Sequence, residues 1–177
     1  MKNILSAFTL FAFAQCAYSQ NIQPAPSSEN QSTATAYQPI NGNDKNETPV
    51  YLNKVNAKAV KDFKQTYKTV TNEKWYEMPD GIRATFTLND IRYRLDYEKN
   101  GSWLHTIRYY DEKKLPAETR RLVASSYLDH TVTLVEEIEK PRDVITYIIH
   151  LEGKTNWVNI KVCNGEIEEW QKFNKSK

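Results

Sequence analysis

The feature that most constrains this chain is a pattern that occurs twice. "NAKAVKDFKQTY" (Asn56–Tyr67) sets Ala59, Val60, Phe63 and Tyr67 at helical spacing, with Asn56 placed to cap the first turn. Further along, "LPAETRRLVASSY" does the same with Thr119, Leu122, Val123 and Tyr127, and Pro116 suits a first helical turn. After each helix the apolar period changes to that of strands. In the first unit "TVTNEKWYEM" is followed by a turn at Pro79-Asp80-Gly81. "IRATFTL" then alternates Ile82, Ala84, Phe86 and Leu88 against Arg83, Thr85 and Thr87. Asn89-Asp90 turns the chain into "IRYRLDY", with Ile91, Tyr93, Leu95 and Tyr97 against Arg92, Arg94 and Asp96. Asn100-Gly101 predicts a two-residue hairpin turn, because positive φ angles suit those residues, and leads into "SWLHTIRYY". The second unit runs "TVTLVEEIE", a turn at Pro141-Arg142-Asp143, "VITYIIHL", Glu152-Gly153, "NWVNIKV", Asn164-Gly165 and "EIEEWQKF". Tyr67 matches Tyr127, Trp75 matches Val135, and the two Asn-Gly pairs fall at equivalent places.

A helix on four antiparallel strands buries one sheet face and leaves the other exposed. Two such units joined at their edges predict an α+β fold. It comprises two tandem α-β-β-β-β repeats in one curved antiparallel sheet, with helices on one face. The domain is expected over residues 51–177, with the repeats at about 55–111 and 115–173. The uncovered face would carry Arg83, Thr85, Thr87, Arg92, Arg94 and Asp96 from the first repeat. From the second it would carry Thr146, Ile148, His150, Trp157, Asn159 and Lys161. Arg and large aromatic side chains dominate protein interfaces, which marks Arg92, Arg94, Trp103, His105 and Trp157 as candidate binding residues. Placing Trp103 and His105 depends on which way their strand faces, and Leu104, Thr106 and Arg108 suit either side. All of these residues could also serve as ordinary cross-strand pairs on a solvated face.

The N-terminal residues 1–19 predict a signal peptide: Lys2 supplies the positive charge, Ile4 to Ala14 the apolar run, and "AYS" a cleavage site before Gln20. The run is too short for a spanning helix, which needs about 20 apolar residues. Acylation at Cys16 would ask for aliphatic and small residues where "FAQ" stands. Residues 20–50, rich in Ser, Thr, Asn, Gln and Pro, predict a flexible polar linker, with sequons at Asn30 and Asn46. Loss of the signal leaves Cys163 alone, so no internal disulfide is expected and a half-buried thiol suffices to explain it. Localisation is expected to be periplasmic or secreted.

The charges are interleaved without a basic block, which argues against nucleic acid, and no cationic amphipathic helix argues for stable membrane insertion. His105, His130 and His150 lie in three different elements without the short-spaced pair of a metal site. His130 is expected in a solvated loop. Cys163 has no predicted His partner, and neither a Gly-x-Ser-x-Gly elbow nor a Gly-rich phosphate loop occurs. Glu136, Glu137 and Glu139 in "VEEIE" read as an edge-like strand with its Glu side chains in water. The expectation is therefore a non-enzymatic domain without metal or cofactor, binding an unknown protein or peptide of the cell envelope. A small-ligand carrier and a paired-carboxylate hydrolase are the alternatives.

"VNAKAVKDFKQTY", "KWYEMPDGIRATF", "GSWLHTIRYYDEKKLP" and "LVASSYLDHTVTLVEEIE" together resemble the PepSY-like family of exported Gram-negative proteins. The resemblance covers nearly all of residues 52–173 and extends to element order and turn placement. It implies a fold like that of the beta-lactamase inhibitory protein, with two helix-plus-four-strand repeats, in a periplasmic or secreted setting. In that inhibitor the concave sheet face grips an enzyme. The resemblance brings no catalytic residue and no cofactor.

Overall fold

A computed structural model describes residues 47–176. The elements follow in the order β1 (Thr48–Val50), α1 (Ala57–Thr66), β2 (Lys74–Met78), β3 (Gly81–Leu88), β4 (Ile91–Glu98) and β5 (Trp103–Tyr110). The second repeat supplies α2 (Ala117–Ser126), β6 (His130–Lys140), β7 (Val144–Gly153), β8 (Asn156–Cys163) and β9 (Glu166–Asn174). The nine strands of the described residues form one antiparallel sheet in sequence order, and the β5–β6 ladder joins the repeats. The α+β class and helices on one sheet face agree with the expectation from the sequence.

The duplication is visible in backbone detail. A short 3-10 turn precedes each helix, at Leu52–Lys54 and at Glu112–Lys114, and delivers a buried apolar residue, Val55 or Leu115, to the core. Each helix ends on a tyrosine with the same ψ of 61°, Tyr67 and Tyr127, whose N–H donates to Phe63 O and Val123 O respectively. The starts differ. The Asn56 side chain accepts from Lys58 N, satisfying a helix N–H that lacks an intrahelical partner, whereas Pro116 offers no side-chain cap.

Two cores sit beneath the helices. The first is aromatic: Phe63 meets Trp75 and Phe86 edge-on at 5.4 Å, and Phe86 stacks on Tyr93 at 4.7 Å. In the second, Val123, Val135, Ile149, Leu151, Val158, Ile160 and Val162 are buried with Tyr110 and Leu115. On β4, Ile91 packs on the second core while Tyr93, Leu95 and Tyr97 from the same face build the first, so both helices lie on one side.

Several expectations need correction. Thr48–Val50, at the end of the stretch expected as linker, pairs with β2 and adds a ninth strand. β6 is an interior strand, not an edge. His130 opens β6 rather than sitting in a solvated loop. Its Nε2 lies 3.0 Å from Asn156 Oδ1, and its ring packs edge-on against Tyr127. The two Asn-Gly turns also differ. At Asn164-Gly165 both residues have positive φ, 52° and 79°, as a two-residue turn requires. At Asn100-Gly101 only Gly101 does, with φ 81°, and its N–H donates to Glu98 O across a longer turn. The predicted signal peptide with its cleavage site, Cys16, the sequons at Asn30 and Asn46, and the linker up to residue 46 lie outside the described residues.

Candidate functional site

The helix-free face is built by alternation on each strand. Register places Arg83, Thr85 and Thr87 of β3 beside Asp96, Arg94 and Arg92 of β4, and these beside His105, Ile107 and Tyr109 of β5. Across the seam Ile107 faces Ile138 and Tyr109 faces Glu136. Further on, Ile148 and His150 of β7 lie beside Lys161 and Asn159 of β8, and Trp157 lies beside Phe173 of β9.

At one end of this face three basic side chains converge on one carboxylate. Arg83 donates to Asp96 through Nε (2.6 Å to Oδ1) and Nη2 (3.0 Å to Oδ2), a two-pronged contact matched to carboxylate geometry. Arg94 Nη2 reaches Asp96 Oδ2 at 3.0 Å, and His105 Nε2 lies 3.1 Å from the same oxygen. Arg83 also pairs through Nη1 with Glu47, just before β1, and is buried, so this part of the face is roofed by its own ion pairs. Beside it the Arg92 guanidinium lies 4.3 Å from the centre of the Tyr109 ring, a cation–π stack. Burial, then the nearby Glu136 carboxylate, pushes the Tyr109 pKa up to about 12.

The middle of the face is apolar, with Ile107 and Ile148 buried and Ile138 half-buried. His150 Nε2 meets Glu136 Oε1 at 2.8 Å next to this band. At the far end Lys175 Nζ sits 4.6 Å from the Trp157 ring centre and 2.6 Å from Glu152, and Phe173 is exposed.

Of the five candidate binding residues, Arg92, Arg94, His105 and Trp157 share the helix-free face. Trp103 does not. A bulge between Asp96 and Tyr97 leaves Leu104 out of register and pairs Trp103 with Tyr97, a core residue. Trp103 therefore packs on the aromatic core, and its indole N–H donates to Thr106 Oγ1 at 3.1 Å. Simple alternation back from His105 would have put both residues on one face. Sequence reasoning missed Tyr109, which the same alternation reveals, and Glu47, which nothing in its polar surroundings distinguishes. It also misread Glu137 and Glu139. They point to the helix side, where Arg108 pairs with both and lies over Tyr93, with Arg108 Nη1 2.7 Å from Glu137.

The three histidines engage Asp96, Asn156 and Glu136 separately. Among the described residues no His, Cys, Asp and Glu side chains gather in a group of three or more that could hold a metal ion. Nor is any helix among them long and apolar enough to cross a membrane.

The arrangement recurs in solved structures. A DUF2874 family protein from Bacteroides ovatus superimposes with a TM-score of 0.58 at 16% identity, over 68% of this chain and 87% of its own. A BLIP-like protein from Bacteroides fragilis gives 0.55 at 20% identity, over 67% and 85%. This chain has a BLIP-like fold. A protein from Bacteroides eggerthii, provisionally described as periplasmic, gives 0.57 at 17% identity, over 68% and 88%. Identities at this level establish common architecture and leave activity open. No family model matches the chain, and no curated protein matches it.

Proposed function

We propose that the chain is a non-enzymatic, exported binding domain of the PepSY-like type that recognises a protein or peptide of the envelope through its helix-free sheet face. The observation that carries this reading is the composition of that face. An Arg stacked on a Tyr, a second Arg and a His around one carboxylate, an isoleucine band and a Trp run across it, with no helix of the described residues above them. Arg, Tyr and Trp carry most of the energy in protein interfaces, and an apolar centre with a charged rim is the usual anatomy of such a contact. Arg92, Arg94, His105 and Trp157 are the binding residues on this reading. The provisional periplasmic description of the Bacteroides eggerthii neighbour and the BLIP-like fold support an exported binding role.

The test replaces Arg92 and Trp157 together by Ala and repeats affinity capture from periplasmic extract, with crosslinked partners identified by mass spectrometry. Loss of partners that the unaltered protein captures is expected. An unchanged set removes the reason for choosing this face, and robust turnover of a hydrolase substrate panel would displace the binding reading altogether.

A further inference from the structure

The two edges of the sheet are built differently. β1 is three residues long and contains Pro49, which has no N–H to offer a further strand. β9 is nine residues long with no Pro or Gly, and Trp170 and Phe173 on it are 57% and 54% exposed. A long edge strand with exposed aromatic residues is a template for pairing with another strand.

We propose that β9 is a self-association edge, where two copies of this chain pair antiparallel across a two-fold axis. Charge along the strand favours this occupant. Glu166, Glu168 and Glu169 occupy its first half, Lys172 lies in the second, and Lys175 follows directly. An antiparallel copy sets acidic against basic, and a parallel copy sets like against like.

The register follows from the faces. Pairing with β8 puts Glu166, Glu168, Gln171 and Phe173 on the helix-free face and Ile167, Glu169, Lys172 and Asn174 on the helix side. The bulge at Trp170 shifts the alternation between the two groups. Two copies keep both faces matched when the axis passes between Trp170 and Gln171. Glu169 then opposes Lys172, and Glu166 opposes Lys175, from both sides of the axis. Sliding by two residues in one direction loses every opposite-charge pair; in the other it leaves, among the described residues, only Glu168 against Lys175. Pro49 blocks head-to-tail growth from the opposite edge, so the contact closes as a dimer rather than a filament.

Sedimentation velocity of the full chain over a range of concentrations tests this. A reversible dimer is expected. Glu169→Lys or Lys172→Glu alone sets like charges opposite and should weaken association roughly tenfold or more, with the far-ultraviolet circular dichroism unchanged because both side chains are exposed. Glu169→Lys/Lys172→Glu in one chain should restore the dimer, and so should mixing the two single variants. A monomer at every concentration overturns the proposal, as does a dimer indifferent to the single changes. Failure of the double variant to recover also overturns it. None of these changes touches Arg92 or Trp157, so the result is independent of the role assigned to the helix-free face.

Discussion

Replacing Arg83 by Met tests whether the converging charges hold the helix-free face together. The side chains of Arg83 and Glu47 are 5% and 4% exposed, and that of Asp96 is 13% exposed. Met fills much of the volume of the Arg stem, so the change is mainly electrostatic. Asp96 keeps Arg94 at 3.0 Å and His105 at 3.1 Å, but Glu47 loses the guanidinium that pairs with it. Removing one member of a buried pair costs about 3–5 kcal/mol, against about 0–1 kcal/mol for an exposed pair. With Asp96 still partnered, the expected loss is about 3 kcal/mol, at the lower end of the buried range. Glu47→Gln alone leaves Arg83 on Asp96 and should cost only about 1 kcal/mol. If most of the penalty is a stranded Glu47 carboxylate, adding Glu47→Gln to Arg83→Met should return about 1–2 kcal/mol. Equilibrium urea unfolding measures all three variants. A loss below about 1 kcal/mol for Arg83→Met, or a double variant no more stable than that single, would refute the reasoning.

Two further predictions use features that the repeats do not share or that the sheet buries. At Gly101 (φ +81°) a Cβ would stand 2.5 Å from Asn56 Oδ1, whereas at Gly165 (φ +79°) it would meet nothing within 4 Å. Gly165→Ala should therefore cost only the left-handed backbone penalty of about 1 kcal/mol. Gly101→Ala should cost clearly more in thermal or urea unfolding, since it also displaces the α1 cap. Burial foremost holds the phenols of Tyr97, Tyr109 and Tyr110 above their ordinary pKa of 10.0, with Asp62, Glu136 and Glu137 respectively adding to it, and Tyr109 stands at about 12. The folded state then binds protons more tightly than the unfolded one. This stabilisation is complete below pH 10 and lost as the pH climbs through 12 and beyond. Unfolding followed against pH, together with tyrosinate absorbance, should show stability falling only above pH 10, and a decline beginning near neutrality would contradict it.

Most of the fold was legible because its signals are local. Asn56 caps where its spacing to Phe63 requires, and the alternation in β3 and β4 assigns every side chain there to the observed face. What was not legible depends on pairing between distant strands. Trp103 turns to the core because β5 bulges at Leu104, opposite the step from Asp96 to Tyr97, and no residue in "NGSWLHTIRYY" announces that extra residue. Glu47 matters through Arg83, and nothing in the polar sequence around it marks it out. The Asn-Gly pairs look identical, yet Asn56 reaches past the helix start to accept from Lys58 N and donate to Lys99 O, which binds only the first turn to a helix.

"VEEIE" shows how a sound local inference can reach the wrong conclusion. Charged residues alternating with aliphatics mark a strand that meets water, and water is normally found at an edge. Joining two helix-on-sheet units makes a second kind of place for such residues. Each helix covers its own core, and the strip of β5 and β6 on the helix side lies at the junction of the two. Apolar side chains there would have needed a cover that neither helix supplies. The sequence places Thr106 and Arg108 on β5 against Glu139 and Glu137 on β6, and the Tyr110 hydroxyl also donates to Glu137. Arg108, Tyr110 and the two carboxylates satisfy one another, while Thr106 accepts from the Trp103 indole. The polar strip thus lets two repeats share one sheet while keeping separate cores. Replacing Arg108 by Leu would take the guanidinium from both Glu137 and Glu139, leaving Glu137 the Tyr110 hydroxyl, so the cost of that change should fall on the junction and on both repeats at once.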